Sequence, residues 1–130
     1  MCCNKINMVY KRKATTGEKL LYIYQKRNHK SYVYNLSVVF KCTNQLDVSK
    51  LKHTCDIFRS KNDILKSNFI EKDGEVFVCP NDRYDEQYLH IEYAKNANDA
   101  MHRIELIQKK PLNLSCDCLA SVYVIECGRL

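Results

Sequence analysis

The sequence predicts an α+β fold in which helices pack on a mixed β-sheet. Segments with helical periodicity alternate along the chain with segments whose apolar residues recur at every second position. The pair Asp73-Gly74 separates two strand-like segments and is the strongest hairpin signal in the chain. With 130 residues, 45% hydrophobic, and only three Gly and two Pro, the composition excludes disordered and collagen-like chains. The length predicts one domain over residues 1–130.

The first half of the chain predicts a helix, a strand and a second helix. Thr16 to Arg27 has apolar residues among charges, with Thr15 or Thr16 as its N-cap. Val33 to Cys42 alternates between apolar and polar residues, which predicts a half-buried strand. Asp47 is placed to cap a helix from Val48 to about Ser60. The predicted buried positions are Tyr34, Leu36, Val38, Phe40 and Cys42 in the strand and Val48, Leu51, Cys55 and Phe58 in the helix.

A β-hairpin is predicted next. Leu65 to Ile70 and Glu75 to Cys79 have strand composition, and Asp73-Gly74 between them suits a type I′ turn, which needs positive φ at both central residues. Pro80 ends the second strand, because proline cannot donate a ladder hydrogen bond.

The remaining elements are a strand, a helix and an apolar strand. Tyr88 to Tyr93 alternates like a strand, and Asn96 or Asn98 can cap the helix that follows. The predicted apolar stripe of this helix is Ala97, Met101, Ile104 and Ile107, and Lys109, Lys110 and Pro111 end it. Leu119 to Ile125 is almost entirely apolar and too short for a buried helix, so it predicts a central strand buried on both faces.

Charge is unevenly distributed along the chain. The net charge is +6, and residues 1–61 carry an excess of ten positive charges whereas residues 62–130 carry an excess of four negative charges. Nucleic-acid sites usually combine clustered cations with stacking aromatics on one face, but these lysines fall on several elements. We therefore expect a solvated basic surface rather than a nucleic-acid site.

The expected location is the cytosol. No run of about 18 apolar residues is present, and the cluster Lys11-Arg12-Lys13 stands where a signal peptide would need its apolar stretch. Membrane attachment through acylation of Cys2-Cys3, near this cluster, is a minor alternative to a cytosolic location. In a reducing compartment the eight cysteines are expected to be free thiols.

No cofactor or metal site is predicted. Cys116-x-Cys118 lacks both the two-residue spacer and the second ligand pair of a structural zinc site. The chain contains no Gly-rich phosphate loop, no Gly-x-Ser-x-Gly and no Cys-x-x-Cys. The sequence therefore assigns no residue as catalytic, cofactor-binding or metal-ligating.

Two segments resemble motifs of a known family. Thr15 to Tyr24 is similar to Ser-x-Ala-Gln-x-Arg-Leu-Trp-x-Leu, and Lys61 to Phe69 is similar to Arg-His-Glu-x-Leu-Arg-Thr-x-Phe. Both motifs belong to the condensation domains of nonribosomal peptide synthetases, within the chloramphenicol-acetyltransferase-like acyltransferases. The second segment departs from its motif at Asn62, which replaces His, and at Lys66, which replaces Arg. Further phrases in the family's order are Tyr34-Asn35-Leu36, Leu46 to Leu51, Asp73-Gly74-Glu75 and Lys110 to Leu114.

The resemblance implies the N-terminal lobe of this fold and a specific parent reaction. Family members join acyl or peptidyl thioesters, held on the phosphopantetheine of a carrier protein, to an amine. Their third motif, His-His-x-x-x-Asp-Gly, orients or deprotonates that amine, and the 130 residues do not contain it. The four histidines His29, His53, His90 and His102 are isolated in the sequence. Neither His90 nor His102, the two in the C-terminal half, is assigned as a site.

Two hypotheses of different classes remain open. The chain is either a fragment or divergent half of a condensation-type acyltransferase, inactive alone, or a non-catalytic interaction module. Such a module would bind an acidic carrier protein, a complementary lobe or itself. The strand Leu119 to Ile125 is expected to lack one neighbour and so to present an edge for association, unless Ile6 to Tyr10 covers it.

Overall fold

The computed structural model describes residues 12–81 and 88–128. Within them the helices are α1 (Thr16–Arg27), α2 (Val48–Lys61) and α3 (Ala97–Gln108), and a 3₁₀ turn spans Asp63–Lys66. The strands are β1 (Arg12–Lys13), β2 (Ser67–Lys72), β3 (Glu75–Pro80), β4 (Leu89–Ala94) and β5 (Val122–Cys127). None of these helices has the length and apolarity needed to cross a membrane. The α+β class is confirmed.

The described strands form two sheets of opposite type. One is antiparallel with the order β1-β3-β2, and the other consists of β4 and β5, which run parallel. Helix α1 lies along the hairpin, to which the ion pairs Lys26–Glu71 (2.6 Å) and Lys19–Glu75 (3.8 Å) connect it. The buried residues come from both sheets, from the three helices and from the residue before β4: Tyr22, Arg59, Ser67, Asn68, Val76, Val78, Cys79, Tyr88, Ala94, Ala100 and Val124.

Local signals in the sequence located the helices and the hairpin correctly. Thr15 caps α1, Asp47 caps α2 by accepting from the Lys50 amide, and Asn96 caps α3 by accepting from the Asp99 amide. At the turn, φ is 51° at Asp73 and 79° at Gly74, which confirms the positive φ that a type I′ turn requires. Each cap and the turn depend on side chains that lie within about four residues along the chain.

The predicted strand from Val33 to Cys42 is wrong. These residues form no strand, and residues 36–42 make no hydrogen bond within the described part of the chain. Leu36 is 99% exposed and Phe40 is 82% exposed. A strand forms only when a neighbouring strand satisfies its amides and carbonyls, and alternation alone does not provide that neighbour. Tyr34, Val38 and Cys42, also predicted to be buried, are exposed.

The apolar stripes of two helices differ in phase from the predicted ones. In α2, Phe58 is 61% exposed, and the neighbouring Arg59 occupies the inner face instead. In α3, Ala97 and Met101 are exposed, whereas Ala100 is buried. In each helix the helical period fits more than one choice of inner face, and tertiary packing decides which face is buried.

The remaining differences concern strand boundaries. Leu65 and Lys66 lie in the 3₁₀ turn rather than in β2, and β5 begins at Val122 rather than at Leu119. Among the described strands β5 pairs only with β4, so its second edge has no neighbour there. Ile6 to Tyr10, the alternative cover for this edge, lies outside the described residues.

Candidate functional site

The segment that resembles the first family motif forms the N-terminus of α1. The Thr15 hydroxyl accepts a hydrogen bond from the Glu18 amide (3.3 Å), and the Glu18 carboxylate accepts one from the Thr15 amide (2.8 Å). Arg12 donates from both terminal guanidinium nitrogens, Nη1 and Nη2, to the same carboxylate, at 2.8 and 2.9 Å. Tyr22, at the position of the motif's Trp, is buried. This segment thus caps a helix, joins it to β1 and anchors it in the core.

Hydrogen bonds to the charged form hold Glu18 ionised. The hydrogen bonds from Arg12 contribute most, and together with those from Thr15 they lower the pKa of the Glu18 carboxyl to about 2. Because this pKa lies below the ordinary value of 4.5, Glu18 stabilises the fold fully above that value. This stabilisation is lost as the pH falls towards 2.

The variant Glu18→Gln should lower the free energy of unfolding near neutral pH by about 1 kcal/mol, an amount discounted for partial exposure of the Arg12–Glu18 pair. The difference from the wild type should shrink towards zero as the pH falls to about 2, because protonation neutralises the wild-type carboxylate as well. Urea unfolding across this pH range measures it. Glu75→Gln is the control, because Glu75 belongs to the longer, exposed ion pair with Lys19. If the difference in the free energy of unfolding between Glu18→Gln and the wild type does not change with pH, the prediction is contradicted.

The segment that resembles the second motif turns the chain from α2 into β2. The Asn62 side chain donates to the Phe58 carbonyl (2.8 Å) at the end of α2, and the Ser67 hydroxyl donates to the Asp63 carbonyl (2.6 Å) across the 3₁₀ turn. Lys66 accepts a hydrogen bond from the Asn81 amide through its carbonyl (2.7 Å). The side chains of this motif therefore stabilise a tight helix-to-strand connection in this chain.

The buried Asn68, also in this segment, connects β2 to the chain before β5. Its amide donates to the carbonyls of Leu114 (3.2 Å) and Asp117 (2.8 Å), and its oxygen accepts from the Asn81 side chain (3.0 Å). The Phe69 amide donates to the Leu114 carbonyl as well (2.9 Å). The second motif is thereby joined to the phrase Lys110 to Leu114, which follows it in the family's order.

Arg59 is the buried charge closest to this connection. Its guanidinium donates to the carbonyls of Leu65 (3.1 Å) and Ala120 (3.2 Å), and it lies 4.2 Å from the centre of the Tyr88 ring. The Tyr88 hydroxyl donates to Asp56 (2.6 Å), and burial, followed by this hydrogen bond, raises the pKa of Tyr88. Arg59 thus joins α2 to the segments that lead into β2, β4 and β5. No motif in the sequence marks Arg59, although its spacing from Val48 and Cys55 places it on the helical stripe.

Among the described residues, one cleft lies beside the second motif segment and one groove lies beside α3. A cleft of about 120 Å³ lies between the second motif segment and strands β1 and β3, and its lining residues are Arg12, Asp63, Ile64, Ser67 and Val78. An open groove of about 440 Å³ runs beside α3 and includes Met101, His102 and Glu105. The cleft is smaller than the roughly 300 Å³ at which pockets begin to enclose drug-sized ligands. It therefore suits structural packing better than substrate binding.

The structure separates the histidines by environment. His90 stacks on Tyr123, its partner across β4 and β5, with ring centres 4.5 Å apart. His29, His53 and His102 are exposed. Within residues 12–81 and 88–128, no group of three or more His, Cys, Asp or Glu side chains is placed to hold a metal ion.

The described cysteines differ in exposure. Cys42 and Cys127 are exposed, Cys55, Cys116 and Cys118 are half-buried, and Cys79 is buried; all six are free thiols. Burial raises the pKa of the Cys79 thiol, which lowers its thiolate fraction. Cys2 and Cys3 lie outside the described residues.

Thiol titration of the denatured protein, prepared under reducing conditions and assayed without added reductant, should detect all eight cysteines. In the native protein Cys42 and Cys127 should react first and Cys79 last, because access and thiolate fraction both control the rate. Substantially fewer than eight groups after denaturation, or an early reaction at Cys79, would contradict this prediction. Native mass spectrometry that shows bound zinc would contradict the prediction that Cys116 and Cys118 are not ligands.

Comparison with known families identifies the chain. A family model for the condensation domain matches residues 17–129. The chain belongs to the condensation domain family. None of the curated proteins matches it. Membership in the condensation domain family associates the chain with condensation-type acyl transfer and with the chloramphenicol-acetyltransferase-like fold, and it confirms the resemblance carried by the two motif segments.

Proposed function

We propose that this chain supplies the N-terminal lobe of a condensation-type acyltransferase of nonribosomal peptide synthesis. In the parent reaction an amine attacks a carrier-bound acyl or peptidyl thioester, an amide bond forms, and the carrier thiol leaves. The match to the condensation domain family over residues 17–129 carries this proposal. The burial of Tyr22 in the first motif segment and the hydrogen bonds of the buried Asn68 in the second support it.

The proposed role of these residues is architectural rather than chemical. General base catalysis needs a basic group within hydrogen-bond reach of the nucleophile. The chain has no His-His-x-x-x-Asp-Gly, and His90, its half-buried histidine, is stacked on Tyr123. We propose that a segment outside these 130 residues supplies the base, and that this lobe positions it.

The proposed partners are an acidic carrier protein and a complementary C-terminal lobe. The excess of positive charge in residues 1–61 would steer an acidic carrier towards this half of the chain. Lys30, Lys41 and Lys50 are exposed and available for such an encounter.

A non-catalytic interaction module is the second candidate, and one observation favours it. The apolar side chains of residues 32–40 are exposed to an extent that soluble monomers rarely show. A chain whose role is to bind another polypeptide would present such a surface.

The purified chain should catalyse no amide formation from carrier-bound thioesters, because the family's paired histidines are absent from it. Donor and acceptor carriers loaded with thioesters, incubated with the chain and analysed by mass spectrometry, provide the measurement, with a buffer blank as control. Condensed product above the blank would overturn the proposed architectural role. The coding sequence after Leu130 distinguishes the two candidates: an in-frame His-His-x-x-x-Asp-Gly supports the acyltransferase, and a stop codon supports the module.

A further inference from the structure

Residues 32–40 form the largest concentration of exposed apolar side chains in the described part of the chain, and we refer to them as the 32–40 patch. The exposed fractions are Tyr32 44%, Val33 67%, Tyr34 55%, Leu36 99%, Val38 77%, Val39 54% and Phe40 82%. Aromatic side chains alone bury about 150–250 Å² each. The patch therefore approaches the roughly 800 Å² that one partner contributes to a stable interface.

The patch is fixed in place at one end. The Tyr34 ring meets the Tyr24 ring of α1 edge to face, with centres 5.0 Å apart. The Asn35 side chain donates to the carbonyls of Gln108 (3.2 Å) and Lys110 (2.8 Å) at the end of α3. From Leu36 to Cys42 the backbone has no hydrogen-bond partner among the described residues. An anchored segment whose amides and carbonyls have no partner among the described residues, and whose apolar side chains alternate, is suited to pair as a strand.

The chain also presents the complementary surface. Two-stranded parallel sheets are unusual, because parallel strands normally lie inside larger sheets covered on both faces. Strand β5 pairs only with β4 among the described strands, so no described strand occupies its other edge. Its residues Val122, Tyr123, Val124 and Ile125 match the apolar, β-branched and aromatic character of the patch.

We propose that the 32–40 patch of one copy of this chain pairs with the free edge of β5 in a second copy, and that the exchange is reciprocal. A parallel register that places Val39 opposite Val124 also places Phe40 opposite Ile125 and Lys41 opposite Glu126. Lys41 and Glu126 are both exposed in the single chain, so this register joins opposite charges at the rim of the contact. Reciprocal exchange of patch and edge closes the assembly at two copies about a two-fold axis, whereas one-way exchange would build an open chain.

The size of the full-length chain in solution tests the proposal. Sedimentation velocity from low-micromolar to high-micromolar concentration should show a monomer–dimer equilibrium. Leu36→Lys and Phe40→Lys should each raise the dimer Kd by about tenfold or more, because a charge then enters the apolar centre of the contact. Both side chains are exposed, so the circular dichroism spectrum of each variant should stay that of the wild type. Leu106→Lys, at a 59% exposed position on α3, is the matched control and should leave the Kd unchanged.

Charge reversal tests the register. Lys41→Glu and Glu126→Lys should each weaken the dimer, and the double variant should restore it, because the opposite charges face each other again. A monomer at every concentration would overturn the proposal, as would an unchanged Kd in Leu36→Lys and Phe40→Lys. Growth beyond two copies would overturn the reciprocal geometry. These outcomes are separate from the absence of amide formation, since association does not depend on the acyltransferase role.

Discussion

Replacing Arg59 by alanine is expected to lower the free energy of unfolding by about 3 kcal/mol. Arg59 is 5% exposed, and its guanidinium donates to two backbone carbonyls, at Leu65 and Ala120, while lying over the Tyr88 ring. Alanine leaves those carbonyls without this donor and opens a void between α2 and the start of β5. Both consequences act in the folded state only, so stability falls.

Urea denaturation followed by circular dichroism measures the effect of Arg59→Ala. Lys61→Ala is the matched control, because Lys61 is an exposed cation in the same last turn of α2, and it should change stability by no more than about 0.5 kcal/mol. Arg59→Lys should give an intermediate loss, because a single ammonium does not reproduce the planar fork of guanidinium. Equal losses in Arg59→Ala and Lys61→Ala would show that the buried guanidinium does not hold these segments together.

Tyr88→Phe separates the ring from the hydroxyl. It keeps the aromatic face beneath Arg59 but removes the hydrogen bond to Asp56, so about 1 kcal/mol should be lost. A loss as large as that of Arg59→Ala would instead assign the main stabilisation to the hydroxyl.

Replacing Asn68 by alanine is expected to cost about 2–3 kcal/mol. Asn68 is 2% exposed, and its amide donates to the carbonyls of Leu114 and Asp117. These bonds connect β2 to the segment that precedes β5. Asn68→Asp should cost more, because a carboxylate oxygen would replace the donor and face two carbonyl oxygens in a buried site.

Two readouts distinguish this effect from a general loss of packing. Urea denaturation gives the free energy of unfolding, and amide hydrogen exchange should accelerate most in residues 110–121. Asn98→Ala, at an exposed position on α3, is the control and should change neither. If amide hydrogen exchange in Asn68→Ala accelerates uniformly over the whole chain, a local role for this side chain is contradicted.

The two family motifs illustrate what could be predicted from the sequence and what could not. Their order and spacing identified the family, which the match over residues 17–129 confirms. Their physical roles required the structure, because the Arg12–Glu18 pair crosses from a strand to a helix and Asn68 bonds to residues more than forty positions away. No local pattern distinguishes an asparagine that will be buried in this way from one in a surface loop.

Segment 33–42 shows the opposite error, in which a strong local pattern gave the wrong result. Its alternation of apolar and polar residues is typical of a half-buried strand, yet Leu36 and Phe40 are exposed. Alternating apolar and polar residues show that a segment can pair as a strand, but pairing itself requires a second strand. Among the described residues no strand lies beside this segment, so its pattern leads to no strand pairing there.

The sequence by itself determined the family, the helix caps at Thr15, Asp47 and Asn96, and the hairpin turn at Asp73-Gly74. These features depend on order along the chain or on bonds between residues within about four positions, which the sequence states directly. Only the tertiary structure decided that Arg59 rather than Phe58 faces the core, that Asn68 is buried, and that the strands divide into an antiparallel and a parallel sheet. The physical reason is that burial and strand pairing are properties of two surfaces in contact, and each segment of sequence specifies only one of them.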